Sequence, residues 1–522
     1  MTKQTFLQGT IILMAAGLIT RLLGFVNRIV VARIMGEEGV GLYMMAIPTL
    51  ILTITLTQFG LPVAISKLVA EAEAQGDDKK IKRILVVSLA ITGTLSVIFT
   101  TGMILLAPLL SKTLLTDSRT LLPLLAISPI VPIVALSAVL RGYFQGRQNM
   151  KPGAYSMVIE QVVRITLVAV LAKMFLPYGV EYAAAGAMVS VVFGELASLL
   201  YMLTMFKLKK RMKVRRNFFK EIKSSKPTFV DLMGIAMPTT GSRLIGSLSF
   251  FFEPIIVSQS LAIAGVTTAV ATRQYGELTG YALPLMFLPS FITHSLAVSL
   301  VPAISEAAAK NQPHLIEHRL QQALRLSMVS GGLAIVVLYV FAGPLLEMMY
   351  GSSSAVVFIK VMAPFFIFYY FQGPLQAALQ ALDLARAAMV NSLIGNVVKL
   401  AAIFALATRP ELGIMGAALA IVIGTLLVTL LHFATIIKAI GYTVYLKNYL
   451  KVFVTIIISG GAGFFYIDHF FQLFSKNAST VIGVTVTCLV YLMMLIYFQL
   501  IKRDEVAPIP VIGRGLARLF KE

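Results

Sequence analysis

Tryptophan does not occur in these 522 residues, cysteine occurs once, and charged side chains make up only 13% of the chain. The lone Cys488 excludes a disulfide framework and a thiolate metal site. Without Trp, the 18 Tyr must supply most of any aromatic belt. Scarce charge beside 58% hydrophobic residues excludes a soluble globular domain and marks a polytopic membrane protein. Acids are scarcer still, with 23 Asp and Glu against 44 Lys and Arg. Nucleic acid is not the expected partner of that excess, because the cations lie mostly in short segments between apolar spans. Anionic membrane lipids and the fixing of topology account for them. No Walker-type Gly-x-x-x-x-Gly-Lys-Ser/Thr segment occurs, so the chain itself does not hydrolyse ATP. Neither a cofactor nor a metal site is expected.

What is present is a series of apolar runs long enough to cross the bilayer. They predict fourteen helices, at approximately 9–32, 41–65, 84–110, 120–145, 154–176, 182–206, 229–257, 275–303, 321–345, 355–380, 387–408, 412–437, 450–470 and 479–501. The first run continues past Arg21 and Arg28 without a small-residue cleavage site, so it reads as a retained helix and not a signal peptide. Breaks are expected at Gly36-Glu37-Glu38-Gly39, Gln75-Gly76-Asp77-Asp78, Asn311-Gln312-Pro313 and Gly351-Ser352-Ser353-Ser354. With the N-terminus inside, inner segments collect about 30 Lys and Arg against about 8 outside, which places both termini in the cytoplasm. The outer loops are short.

The two halves echo each other. Leu61-Pro62-Val63-Ala64-Ile65-Ser66 resembles Val301-Pro302-Ala303-Ile304-Ser305. At an offset of 235, Leu140, Gln145, Val162, Val163 and Ala172 meet Leu375, Gln380, Val397, Val398 and Ala407. At an offset of 230, Gly186, Ala187, Val192, Gly194 and Leu196 meet Gly416, Ala417, Val422, Gly424 and Leu426. The expected fold is an all-α membrane protein of two parallel six-helix repeats around a central cavity, plus two extra C-terminal helices. Its parts are an N-terminal half 1–206, a basic cytoplasmic linker 207–228, a C-terminal half 229–437, helices 13 and 14 within 438–501, and a cytoplasmic tail 502–522. Within the tail, the basic and apolar stretch from Val511 to Phe520 is expected on the inner membrane surface.

Four cations lie deep in the apolar spans, in two matched pairs: Arg21 with Arg243, and Arg164 with Lys399. A charge at the bilayer centre costs a few kcal/mol or more, so it faces protein or a wet cavity. Snorkelling is a poor escape, since each is roughly ten residues, about 15 Å of helix rise, from the nearer end. These four, with Asn27 and Arg28 on the first helix, are the candidate substrate-binding residues. The acids Glu160, Glu195, Glu253 and Glu277 either hold a coupling cation or neutralise the cations, and Glu160 stands one turn before Arg164. Asp117, Glu181, Glu347 and Asp468 read as solvated loop charges, and His294 and His432 as packed or hydrogen-bonded side chains. Pro48, Pro62, Pro238, Pro284, Pro289 and Pro302 lie in helices 1–2 and 7–8 and permit bending there.

Arg21-Leu22-Leu23-Gly24-Phe25, Val31-Ala32-Arg33-Ile34-Met35-Gly36 and Leu61-Pro62-Val63-Ala64-Ile65-Ser66 resemble the multidrug/oligosaccharidyl-lipid/polysaccharide exporter superfamily, in its polysaccharide-biosynthesis branch. The resemblance implies a transporter and no enzyme. It implies a flippase that carries an undecaprenyl-pyrophosphate-linked peptidoglycan precursor, similar to lipid II, from the inner to the outer leaflet by alternating access. Cell-wall synthases are implied partners. In the related flippases a basic cavity binds the headgroup, and a groove involving helices 13 and 14 takes the tail. Arg21 matches their first-helix arginine, while Asn27, with Arg28 beside it, stands where a second arginine is expected. Two segments depart from the pattern: Thr49-Leu50-Ile51-Leu52-Thr53 and Leu283-Pro284-Leu285-Met286-Phe287-Leu288-Pro289 carry none of the expected arginines.

The rival within the superfamily is a drug/cation antiporter, which favours acidic and aromatic groups over central cations. A membrane-bound sugar polymerase or ligase needs a catalytic group at the surface and a large outer loop. A non-transporting scaffold gives buried cations little purpose.

Overall fold

The computed structural model describes residues 6–209, 226–443 and 446–500. The body of the basic linker and the whole tail, including Val511 to Phe520, lie outside the described residues. Every described regular element is helical.

Twelve described segments are long and apolar enough to cross a membrane, against the fourteen expected. The first, Ile12–Ala74, runs 63 residues because the expected break after helix 1 shrinks to one residue. Within α1 (Phe6–Gln58) only Gly36 leaves helical geometry, at φ 65° and ψ −172°, a region that a residue without a Cβ enters at little cost. In addition, α6 (Lys151–Phe175) is not among the twelve, and it carries Lys151, Glu160, Arg164 and Lys173. The expected eighth helix is also broken. A π-helical stretch Glu277–Ala282 leads into a short helix at Leu283–Phe287, and a spanning helix resumes at Ser290–Ala309. Pro284 and Pro289 stand at those two restarts, where a missing N–H costs no helical bond. Pro48, Pro238 and Pro302 lie inside helices.

The chain divides into two compact units, Met1–Gly280 and Tyr281–Glu522. In the first, α2 (Leu61–Ala74), α3 (Asp78–Leu109), α4 (Leu121–Ile127), α5 (Ile130–Gly146), α6 and α7 (Val180–Lys209) follow α1. Asp77 caps α3 by accepting from the Lys80 N–H at 2.9 Å. A core of Leu61, Ile65, Ile84, Leu85, Val139 and Tyr143 joins α2, α3 and α5. The same core takes in Leu232 and Ala236 of α8 (Lys226–Ile263), which begins after the linker. Gly60, at φ 61°, makes that approach close, since a Cβ there would lie 2.6 Å from the Ala236 carbonyl. Next, α9 (Thr268–Gly276) packs on the part of α1 beyond Gly36, where Gly41 leaves no room for a Cβ against the Thr272 carbonyl. The compact unit thus extends past residue 229, where the sequence repeat restarts, because α8 and α9 bury their small-residue faces against α1 and α2.

The second unit comprises α10 (Leu283–Phe287), α11 (Ser290–Ala309), α12 (Pro313–Val340), α13 (Ala342–Tyr350), α14 (Val356–Met362), α15 (Phe366–Ala381), α16 (Ala385–Ala407), α17 (Ile414–Ile440), α18 (Leu446–Phe470) and α19 (Lys476–Tyr497). Its core of Leu300, Ile304, Leu320, Leu324, Leu375 and Ala378 joins α11, α12 and α15.

Candidate functional site

Arg21 sits near the middle of the first half of α1, and Arg243 near the middle of the 38-residue α8. Both side chains are exposed on the first unit, as is Arg28, two turns after Arg21. Ser247, one turn beyond Arg243, shares a 2.8 Å hydrogen bond with the Thr55 hydroxyl and so ties this turn of α8 to α1. Asn27 differs from its neighbours. It is buried, and its Oδ1 has no hydrogen-bond partner among the described residues. The residue replacing the expected second arginine therefore faces the bundle and is not exposed beside Arg28.

Arg164 belongs to a chain of alternating charge inside the first unit. Its guanidinium donates to Glu160 one turn earlier; the other Glu160 oxygen lies 3.9 Å from Arg141 on α5, and Arg141 donates to Glu195 on α7 at 3.0 Å. All four are at most half-exposed, and Glu195 is buried. Breaking such a pair by removing one member strands the other charge at a cost of about 3–5 kcal/mol. Gly194 lets α7 reach this corner, since a Cβ there would lie 2.9 Å from the Glu160 carbonyl and 3.2 Å from Arg164 Cβ. Next to Glu160, the buried Gln161 Oε1 faces Gly24 of α1 and, like Asn27 Oδ1, has no hydrogen-bond partner among the described residues. Arg141 escaped notice in the sequence because it lies near the end of its span, although it interrupts an apolar run as the others do.

In the second unit the same backbone corner recurs around Lys399 on α16. A Cβ at Gly424 would lie 2.7 Å from Lys399 Cβ and 3.4 Å from the Gly395 carbonyl. At the repeat offsets Gly395 stands for Glu160, Thr425 for Glu195 and Gln376 for Arg141. Lys399 is half-buried and is the only charged side chain left at these four positions. Gln372 donates to the Thr425 carbonyl at 3.0 Å, and Asn391 bonds both His432 Nδ1 at 3.2 Å and the Thr435 hydroxyl at 2.9 Å. His432 is buried and hydrogen-bonded, as expected of it.

The remaining acids lie elsewhere. Glu253 is buried in α8. Glu277 accepts from Arg273 at 3.2 Å, and Glu37 holds the same guanidinium at 2.6 Å. Glu277 is thus charge-paired at the end of α9. Asp117 corrects its expectation as a solvated loop charge, for it is only 2% exposed. It accepts from Arg119 Nε and Nη2 at 3.1 and 2.9 Å and from the Thr272 hydroxyl at 2.7 Å, while Arg119 also grips Glu38 at 2.7 Å. Burial pushes the Asp117 carboxyl up, but the bonds from Arg119 and Thr272 outweigh it and hold the group below the usual carboxylate range. Glu347, by contrast, makes an exposed pair with Lys476.

A family model described as polysaccharide biosynthesis protein matches residues 6–308 of this chain. The chain belongs to that family. A second model, MatE, matches residues 254–404 of this family member. Among curated relatives, stage V sporulation protein B of Bacillus subtilis (strain 168) is 61% identical over 99% of this chain and 100% of its own length. The lipid II flippase MurJ of the same organism is 25% identical, over 84% of this chain and 83% of its own. Among solved structures, a lipid II flippase MurJ in an inward closed conformation superimposes with a TM-score of 0.69 at 16% identity, covering 94% of this chain and 99% of that one. An inward-facing multidrug resistance MATE transporter gives 0.66 at 18% identity, over 81% and 94%. At such identities these likenesses establish the fold. This member of the family is an all-helical, multi-pass membrane protein of the MATE and MurJ architecture.

Proposed function

We propose that this protein is a flippase that carries an undecaprenyl-pyrophosphate-linked peptidoglycan precursor from the inner to the outer leaflet. The observation that carries the reading is the pair Arg21 and Arg243, exposed in mid-helix on the first unit. An arginine at that depth is costly against hydrocarbon and stable against water or an anion, so these exposed side chains line a wet route. Guanidinium groups grip pyrophosphate in bidentate fashion, and a dry surround strengthens the contact. Only the headgroup must cross, because the polyprenyl tail stays in lipid.

In this reading Arg21, Arg28, Arg243 and Lys399 meet the headgroup, and Asn27 lies buried beside Arg28. Arg164 is held by Glu160 until the phosphate competes for it. The repeats 1–206 and 229–437 rock about a shared cavity to alternate access, both termini lie in the cytoplasm, and no bond of the cargo is made or broken. The name of the 61% identical relative supports a role in sporulation, and that of the 25% identical one supports a cargo resembling lipid II. Cell-wall synthases are the proposed partners that consume the product.

The test is reconstitution in liposomes with a fluorescent lipid-linked disaccharide-peptide, scoring its exposure to an impermeant reagent. Arg21→Ala and Arg243→Ala should each lower translocation at least tenfold, roughly the loss of one charge-assisted phosphate contact, while the protein stays inserted and folded. Undiminished translocation in either variant would overturn the reading. Efflux of a lipophilic cation by the wild type, without movement of the lipid-linked sugar, would favour the antiporter.

A further inference from the structure

Glu160 holds two arginines unequally. One of its oxygens accepts from Arg164 Nη2, and the other lies 3.9 Å from Arg141 Nη2, beyond hydrogen-bond length. That same Arg141 nitrogen donates instead to the buried Glu195, at 3.0 Å. Arg141 is not used up by this bond, since its Nε is buried and has no hydrogen-bond partner among the described residues. A guanidinium carries five N–H donors in a flat fork, so Arg141 has capacity for a second carboxylate. A shift of about 1 Å would bring Glu160 from its present 3.9 Å to the length of a charge-assisted bond with Arg141. Arg164, for its part, borders the route proposed for the headgroup. Gly24, one turn past Arg21, meets the side chain of Gln161, one turn before Arg164, so the two arginines flank a single crossing of α1 and α6.

A phosphate arriving at Arg164 meets the Glu160 carboxylate on the same guanidinium, and away from bulk water that repulsion is strong. A carboxylate inside a helix bundle that leaves one cation needs another. Among the described residues, the other cation within 4 Å of Glu160 is Arg141. We propose that Arg141 is a positioning residue for the headgroup route: Glu160 passes from Arg164 to Arg141 as the pyrophosphate takes Arg164, and returns when the cargo leaves. The acids keep a cationic partner throughout, and Arg164 opens only when it is needed. Gln376, Gly395 and Thr425 carry no charge at the matching places in the second unit, so the exchange belongs to the first half alone. This inference rests on the flippase reading and adds to it the residue that frees Arg164.

The liposome assay, run at several mole fractions of the fluorescent lipid-linked disaccharide-peptide, separates KM from kcat. Arg141→Gln should raise the apparent KM about tenfold, the weight of one hydrogen bond to a charged group, because Glu160 then stays on Arg164. Its kcat at saturating substrate should be nearly unchanged. Arg141→Lys, which keeps the charge, should recover most of the loss. Adding Glu160→Gln to Arg141→Gln should return KM to the wild-type value or below, since no acid then competes for Arg164. A residue that merely braces α5 gives the opposite pattern, a double variant worse than either single one. Equal KM in wild type and Arg141→Gln would overturn the exchange. A double variant no better than Arg141→Gln would overturn it too, in favour of a brace or of direct phosphate binding by Arg141. Should Arg141→Gln fail to fold, Glu195→Gln decides: it frees Arg141 to draw Glu160 away, so KM should fall, and an unchanged or raised KM would sink the proposal. A wild type that moves no lipid-linked sugar overturns the flippase reading and this inference together. Translocation by the wild type with a KM indifferent to these substitutions overturns the inference alone.

Discussion

The corners around Arg164 and Lys399 share a backbone and differ in charge. In both, a glycine on the following helix, Gly194 or Gly424, meets the cation's own Cβ and the carbonyl one turn before it. Around Arg164 the balance is two cations and two carboxylates; around Lys399 the corresponding side chains are Gln376, Gly395 and Thr425. Volume explains how one frame holds both. A Cβ on Gly395 would collide with Val428, whereas the matching position beside Glu160 is the small Ser198. The repeat has kept the helix crossing and exchanged an acid and a serine for a glycine and a valine. Packing is the conserved quantity here, and charge the variable one.

The most forceful way to break the comparison is to remove the acid that distinguishes the first corner. Glu160→Ala leaves Arg164 and Arg141 with less compensation and should cost about 3–5 kcal/mol in denaturant unfolding of the detergent-solubilised protein. Installing that acid in the second corner is the converse. Gly395→Glu alone should destabilise by about 1–3 kcal/mol through overpacking on Val428, and adding Val428→Ser should recover most of the loss, a coupling that a double-mutant cycle reads directly. The recovered double variant should translocate lipid-linked substrate more slowly than the wild type, by less than tenfold, if Lys399 meets the phosphate, because an acid one turn away then competes for it. Smaller effects test the shared frame. Gly194→Ala and Gly424→Ala should each cost about 1–2 kcal/mol, the latter more, since its nearest atom is closer.

An effect no larger than these is expected at the rim of the first unit, which serves as the control for charge without depth. Asp117 has a depressed carboxyl pKa, so its contribution to stability is present above the ordinary value near 3.9 and is lost as pH falls through the folded value. Asp117→Asn should therefore flatten the acid limb of the stability–pH curve below about pH 4 while lowering stability at pH 7 by about 1–2 kcal/mol. A curve that keeps its acid limb in this variant would place the titrating group elsewhere.

Which cations are deep, and that they come in pairs, was legible because a charge inside twenty apolar residues stands out whatever the fold. The Glu160 partnership was legible too, since one turn of helix sets it. Arg141 with Glu195, Asp117 with Thr272, and the burial of Asn27 were not, because each depends on how a second helix is rotated and how deep it sits. Helices apolar on nearly every side offer no periodic stripe from which to read that rotation.

Sequence alone therefore determined the membrane class, the approximate spans and the cationic positions, all of which follow from composition and spacing along one strand of chain. Tertiary structure alone decided that α8 and α9 close onto the first unit, that helix 1 runs on past a single glycine, and that Arg141 is held by an acid on another helix. Those outcomes rest on a few close backbone approaches at Gly60, Gly41, Gly194 and Gly424. A glycine marks where two helices can touch, but only the packed structure tells which two do.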